Sequence, residues 1–143
     1  MVDLIEQAVE KFEQIYSVSV NAIYSENGRI YPNELYLKLR SEGRRDELNR
    51  LYCIANCNTA LKYDGEELDS ANKQLQELLR NPKRKNNETI DYLSKTLIPL
   101  YQERIDDYTK LKKIKILQWS GMATEEIKTD YATGQIDMFD IAP

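Results

Sequence analysis

Residues 88–119 read ETIDYLSKTLIPLYQERIDDYTKLKKIKILQW, and the fold class turns on how this run is read. Ile90, Leu93, Leu97, Leu100, Tyr101, Ile105, Tyr108, Leu111 and Ile114 recur mostly at steps of three and four. That spacing places them along one side of an α-helix. At about 1.5 Å per residue such a helix is ~45 Å long. A domain of this size needs less, so one end is expected to project or to pack on a second copy. Pro99 lies inside the run; it has no N–H to donate, so the helix should kink or divide there.

Working outward from this run, the other segments also carry helical periodicity. Ile5, Val9, Phe12, Tyr16, Val20 and Ile23 predict a first helix over residues 3–24, with Asp3 as its cap and Glu6 three residues on. Residues 17–20 (Ser-Val-Ser-Val) are weaker helix material, but little else is strand-like enough to pair with them. Residues 25–28 form a turn, because Asn27 and Gly28 suit positive φ. Pro32 and Asn33 open a second helix with Leu35 and Leu39 on one side, and Gly43 ends it. Asp46 begins a third with Leu48, Leu51, Ile54, Ala55 and Leu61, and Asp64-Gly65 is expected to be a turn. A fourth helix over 66–80 carries Leu68, Ala71, Leu75, Leu78 and Leu79, and Pro82 breaks the chain after it. Beyond Ser120-Gly121, residues 123–131 predict one more short helix, and Thr133-Gly134 releases the final segment. The expected fold is therefore all-α. It is a helical bundle of about five helices over residues 1–119, with a long Pro-kinked last helix, followed by an extended acidic tail over 120–143.

Composition agrees with that class. The 143 residues are 41% apolar and 31% charged, with only five Gly and four Pro. No apolar run is long enough to cross a membrane, and the first residues lack a basic-then-apolar leader, so a cytoplasmic protein is expected. Cys53 and Cys57 lie one helical turn apart, which suits free thiols in a reducing compartment. The net charge of −4 is carried by residues 120–143, where five acids stand against Lys128, so the body is neutral. Binding to nucleic acid through overall charge is not expected.

Catalytic signatures are missing. The chain has no His, which removes the commonest general base, most zinc sites and the usual triads. Its glycines are isolated, so there is no phosphate-cradling loop. Adjacent acids such as Asp106-Asp107 point in different directions on a helix. The two Cys would need two further ligands to hold a metal and read as small core residues. No enzyme activity, cofactor or metal is expected. Two basic clusters are candidate phosphate contacts: Arg80, Lys83, Arg84 and Lys85 around the Pro82 break, and Lys110, Lys112, Lys113 and Lys115 near the end of the long helix. Both also read as solvated charge or as neutralisation of a helix C-terminus. Of the ten Tyr, Tyr16, Tyr101 and Tyr108 lie on apolar stripes; the others suit half-buried rims or an interaction surface.

The last segment is different in kind. Gln135, Ile136, Asp137, Met138 and Phe139 place an amide, an aliphatic, a hydrogen-bonding acid and two adjacent apolar anchors in one short stretch. An anchor pair that fills a cleft, with polar groups to fix the register, is how short segments bind. This pentapeptide resembles the motif by which bacterial polymerases and repair proteins dock on the sliding clamp: glutamine, an aliphatic residue, serine or aspartate, leucine or methionine, phenylalanine. It fits at all five positions, with isoleucine where leucine is commoner at the second. The box used by eukaryotic and archaeal clamps does not fit, because its later aromatic pair is missing. The resemblance covers five residues and implies a bacterial or bacteriophage protein of DNA replication or repair whose partner is the sliding clamp. The body would then recruit a second protein, touch DNA, or block the cleft. The alternative expectation is a helical structural or assembly protein, including a phage one, that forms a homo-oligomer through the long helix with the tail packed on the body.

Overall fold

Asp3 caps the first helix, α1 (Leu4–Tyr16), by accepting the Ile5 N–H on its carboxylate at 2.9 Å. In this computed structural model the chain is described over residues 3–121. Helix α1 stops earlier than its periodicity predicts. Ser17 adopts a left-handed φ of 56° and its N–H closes on the Glu13 carbonyl at 2.9 Å. Ser19 then caps a single 3-10 turn, Val20–Ala22.

A β-hairpin follows, where the sequence predicts only a turn. Strands β1 (Tyr24–Glu26) and β2 (Arg29–Tyr31) pair antiparallel, with Tyr24 opposite Tyr31 and Glu26 opposite Arg29. Asn27 and Gly28 both have positive φ, 51° and 77°, the geometry of a two-residue turn whose twist matches the strands. Strands of three residues are marginal by themselves. Here side chains of the next long helix hold them. Thr59 Oγ1 accepts the Ser25 N–H at 2.9 Å, Asn58 Nδ2 donates to the Val20 and Ile23 carbonyls at 2.9 and 2.7 Å, and the Tyr52 hydroxyl donates to the Gly28 carbonyl.

Helix α2 (Asn33–Ser41) starts after Pro32 and is followed by Gly43 at φ 69°. It buries Tyr36 and Leu39 and leaves Leu37 exposed. Helix α3 (Arg45–Arg80) then runs for 36 residues without interruption. The turn expected at Asp64-Gly65 does not form, so the third and fourth predicted helices are one. Asp64 is fully buried on the helix and Gly65 keeps a negative φ. After a 3-10 turn at Arg84–Asn86 come α4 (Asn87–Tyr92), a π turn (Leu93–Leu97) and α5 (Ile98–Ser120). The wide turn sits directly before Pro99. The ring there lacks an N–H, and in a regular α-helix it would crowd the carbonyl four residues back, that of Lys95, which lies in the wide turn. Gly121, at φ 81°, follows α5, and Lys11 Nζ donates to the Ser120 carbonyl at 3.3 Å.

The fold is thus predominantly helical, with one small hairpin, and it divides into two compact units. Among the described residues one comprises 3–59 and 110–121, the other 60–109. In the first, Phe12, Ile23, Ile30, Leu39, Leu51, Ile54, Ile114 and Leu117 are fully buried in a shared core. Phe12 meets Tyr16 and Trp119 edge to face, with ring centroids 4.8 and 5.1 Å apart. In the second, Ala71, Leu93 and Ile98 form a smaller core with Leu68, Leu75, Leu78 and Leu97 around it. Among the described residues no helix is long and apolar enough to cross a membrane.

Candidate functional site

The pentapeptide at residues 135–139, the short helix expected at 123–131 and the tail that holds them lie outside the described residues. The two basic clusters can be placed. Arg80, Lys83, Arg84 and Lys85 are all exposed around the end of α3 and the 3-10 turn after it. The second cluster is split by its surroundings. Lys110 is exposed, whereas Lys112, Lys113 and Lys115 are half-buried. Lys112 Nζ donates to the Asn21 side-chain oxygen, and burial lowers its pKa from 10.5. Lys115 Nζ donates to Gln118 Oε1 at 3.3 Å. Two of these ammonium groups are therefore engaged within the protein and do not line a phosphate-facing stripe with Lys110.

Cys53 and Cys57 are free thiols on α3. Cys57 is buried, and that burial raises its pKa to about 11. Among the described residues no cluster of three or more His, Cys, Asp or Glu side chains is placed to hold a metal.

Two polar arrangements in the first unit stand out, and the first is structural. The Tyr16 hydroxyl accepts the Trp119 indole N–H at 3.0 Å and donates to Glu47 Oε2 at 2.6 Å. Arg44 closes the network with its Nε on Glu47 Oε1 at 3.2 Å and a second hydrogen bond from its terminal nitrogen. Every charge in this network has its counter-charge, so it fixes the α1–α3 geometry.

The second arrangement is not compensated. Arg29, from the hairpin, lies over the Tyr36 ring at 5.5 Å from its centroid. Arg40 lies 5.9 Å from the same centroid and donates to the Tyr36 hydroxyl at 3.1 Å. Beside them a groove of about 410 Å³ is lined by Tyr36, Arg40, Gly43, Arg45, Asn49 and Tyr52 together with Leu39 and Leu48, and by no carboxylate. Burial raises the Tyr52 pKa above 10.0. Among the described residues, Arg29, Arg40 and Arg45 belong to no ion pair. Sequence reasoning misses this group because its members come from a hairpin, α2 and α3. The available signal is the Asn27-Gly28 pair between Tyr-Ser-Glu and Arg-Ile-Tyr, which predicts a hairpin with Tyr24, Glu26, Arg29 and Tyr31 on one face.

No protein-family model matches this chain, and no match to it is found among curated proteins or solved structures.

Proposed function

We propose that this chain is a non-enzymatic adaptor or regulator of DNA replication or repair that attaches to the bacterial sliding clamp through Gln135, Ile136, Asp137, Met138 and Phe139. The observation that carries the proposal is the five-position fit of this segment to the clamp-docking pattern. In this reading Met138 and Phe139 fill the clamp's apolar cleft, Gln135 hydrogen-bonds at its rim, and Asp137 accepts a backbone hydrogen bond that keeps the segment extended. The helical body is the second module, carried beside the clamp on DNA. Titration of the purified protein against a bacterial clamp tests it. The expected result is saturable binding that is abolished on combining Met138→Ala with Phe139→Ala. Unchanged affinity in the double variant overturns the proposal.

A helical assembly protein is the second reading, and the observation that favours it is apolar surface on the long helical run. Tyr92 and Leu100 are 53% and 48% exposed. This reading keeps that run bent at Pro99, a bend favoured by the π turn just before it. Sedimentation of the full chain and of a chain lacking residues 132–143 separates the two. A stable oligomer with no affinity for the clamp supports assembly.

A further inference from the structure

We propose that the hairpin and the groove beside it bind single-stranded nucleic acid, with Arg29, Arg40 and Arg45 on the phosphates and the Tyr24–Tyr31 stack as a platform for a base.

Charge is the first argument. Two guanidinium groups share one tyrosine ring and a third lines the adjoining groove, yet none has a carboxylate partner among the described residues. The carboxylate nearest in register, Glu26, stands opposite Arg29 in the hairpin and forms no ion pair with it. Arg44 shows what this protein does with an arginine that serves structure: it is forked onto Glu47 and also bonded to Glu42. Arg29 and Arg40 are instead positioned by an aromatic face and a hydroxyl, which orient a guanidinium without neutralising it. A polyanion is the complement of such a surface.

Aromatic geometry decides which polyanion. Tyr24 and Tyr31 are stacked with centroids 5.0 Å apart and an interplanar angle of 11°, and Tyr24 is 44% exposed. Arg29 is two residues from Tyr31 on the same strand and the same face, about 7 Å away by the rise of an extended chain. A planar aromatic platform next to unpaired guanidinium groups suits a base with its phosphate. An acidic peptide would use the charges but has no need of the platform. A duplex would offer phosphates while keeping its bases stacked away from Tyr24. The surface uses neither of the two basic clusters noted in the sequence, and it does not depend on the clamp.

The test is fluorescence anisotropy of a labelled twenty-nucleotide oligo-dT with the full-length protein and no clamp present. Saturable binding is expected, weakening at least tenfold in the Arg29→Gln, Arg40→Gln double variant and several-fold in Tyr24→Ala. The salt dependence of log K should flatten by roughly 1.4 in the double variant, about 0.7 for each phosphate that no longer meets an arginine. Tyr24→Ala alters an exposed side chain, so its result stands even if the arginine variants fold poorly; thermal melts of each variant report that. Absence of oligo-dT binding at low salt overturns the proposal, as does binding unchanged in Tyr24→Ala. Equal competition by an oligo-glutamate peptide also overturns it and identifies the surface as an acidic-peptide site. Because no clamp is present, none of these outcomes bears on clamp docking.

Discussion

The fully buried carboxylate of Asp64 on α3 accepts the Nε–H of Arg104 on α5 through both of its oxygens, at 3.1 and 3.2 Å. Its hydrogen bond to Asp64 raises the Arg104 pKa further above its ordinary value. A buried charge deprived of its partner is far costlier than an exposed one. Arg104→Met is therefore expected to lower Tm by on the order of 5 °C. Adding Asp64→Asn to Arg104→Met should recover part of that loss, because the stranded charge is gone. Thermal melts of the two singles and the double measure the coupling, and a Tm unmoved by Arg104→Met would show that the pair holds nothing together.

Tyr16 links Trp119 to Glu47 through a single hydroxyl, so Tyr16→Phe leaves an indole N–H without its partner. The expected cost is about 1–2 kcal/mol in denaturant unfolding. The same network sets a pH dependence at each end. Burial opposes the charge on Glu47, but hydrogen bonds from Arg44 and Tyr16 prevail and hold its carboxyl below its ordinary 4.5. On acidification the unfolded chain takes up that proton first. Stability present above pH 4.5 is then lost as pH falls toward the lowered folded value, and Glu47→Gln should flatten that limb. Burial and then Glu47 push the Tyr16 hydroxyl well above 10.0. Above pH 10 the unfolded state releases the proton first, so stability falls as pH rises, and Tyr16→Phe should reduce that slope, with the raised Tyr52 and Cys57 groups carrying the remainder. Unfolding free energies from pH 3 to 11 check both signs.

Alkylation separates the two thiols. Cys57 is buried, with a pKa raised to about 11 by that burial and by Cys53, whereas Cys53 is half-buried. Iodoacetamide at pH 8 is expected to label Cys53 first, leaving Cys57 until the protein is unfolded. Mass spectrometry of the labelled peptides reads the order. Equal rates at the two positions would mean that α3 opens locally at Cys57.

Helical character is legible wherever apolar spacing runs long, as in α3 and α5. What stays hidden is decided by residues distant in the chain. Asp64-Gly65 carries a strong turn signal, and a helical Gly costs about 1 kcal/mol relative to Ala. Arg104, 40 positions on, supplies the counter-charge that lets the Asp64 carboxylate be buried on that helix. The end of α1 at Tyr16 depends on one left-handed Ser, a conformation no periodicity announces. The hairpin is half legible: Asn27-Gly28 marks the turn, but the flanking strands are only three residues long and are tied down by Tyr52, Asn58 and Thr59. The clamp-docking segment is the opposite case, since its whole content is local sequence. The arginine and tyrosine surface lies at the other extreme, because Arg29 and Arg40 come together only once the hairpin and α2 are in place.

Trp119 donates to Tyr16 across 103 positions of chain. A ribosome adds about 5–20 residues per second, so on synthesis the apolar side of α1 waits several seconds for the segment that covers it. The unit formed by residues 60–109 waits less than half as long, since 40 positions separate Asp64 from Arg104. The order of birth therefore favours the inserted unit closing first. During that wait Phe12 has no Trp119 to pack on, and a chain stalled before Trp119 would present that surface to chaperones and proteases.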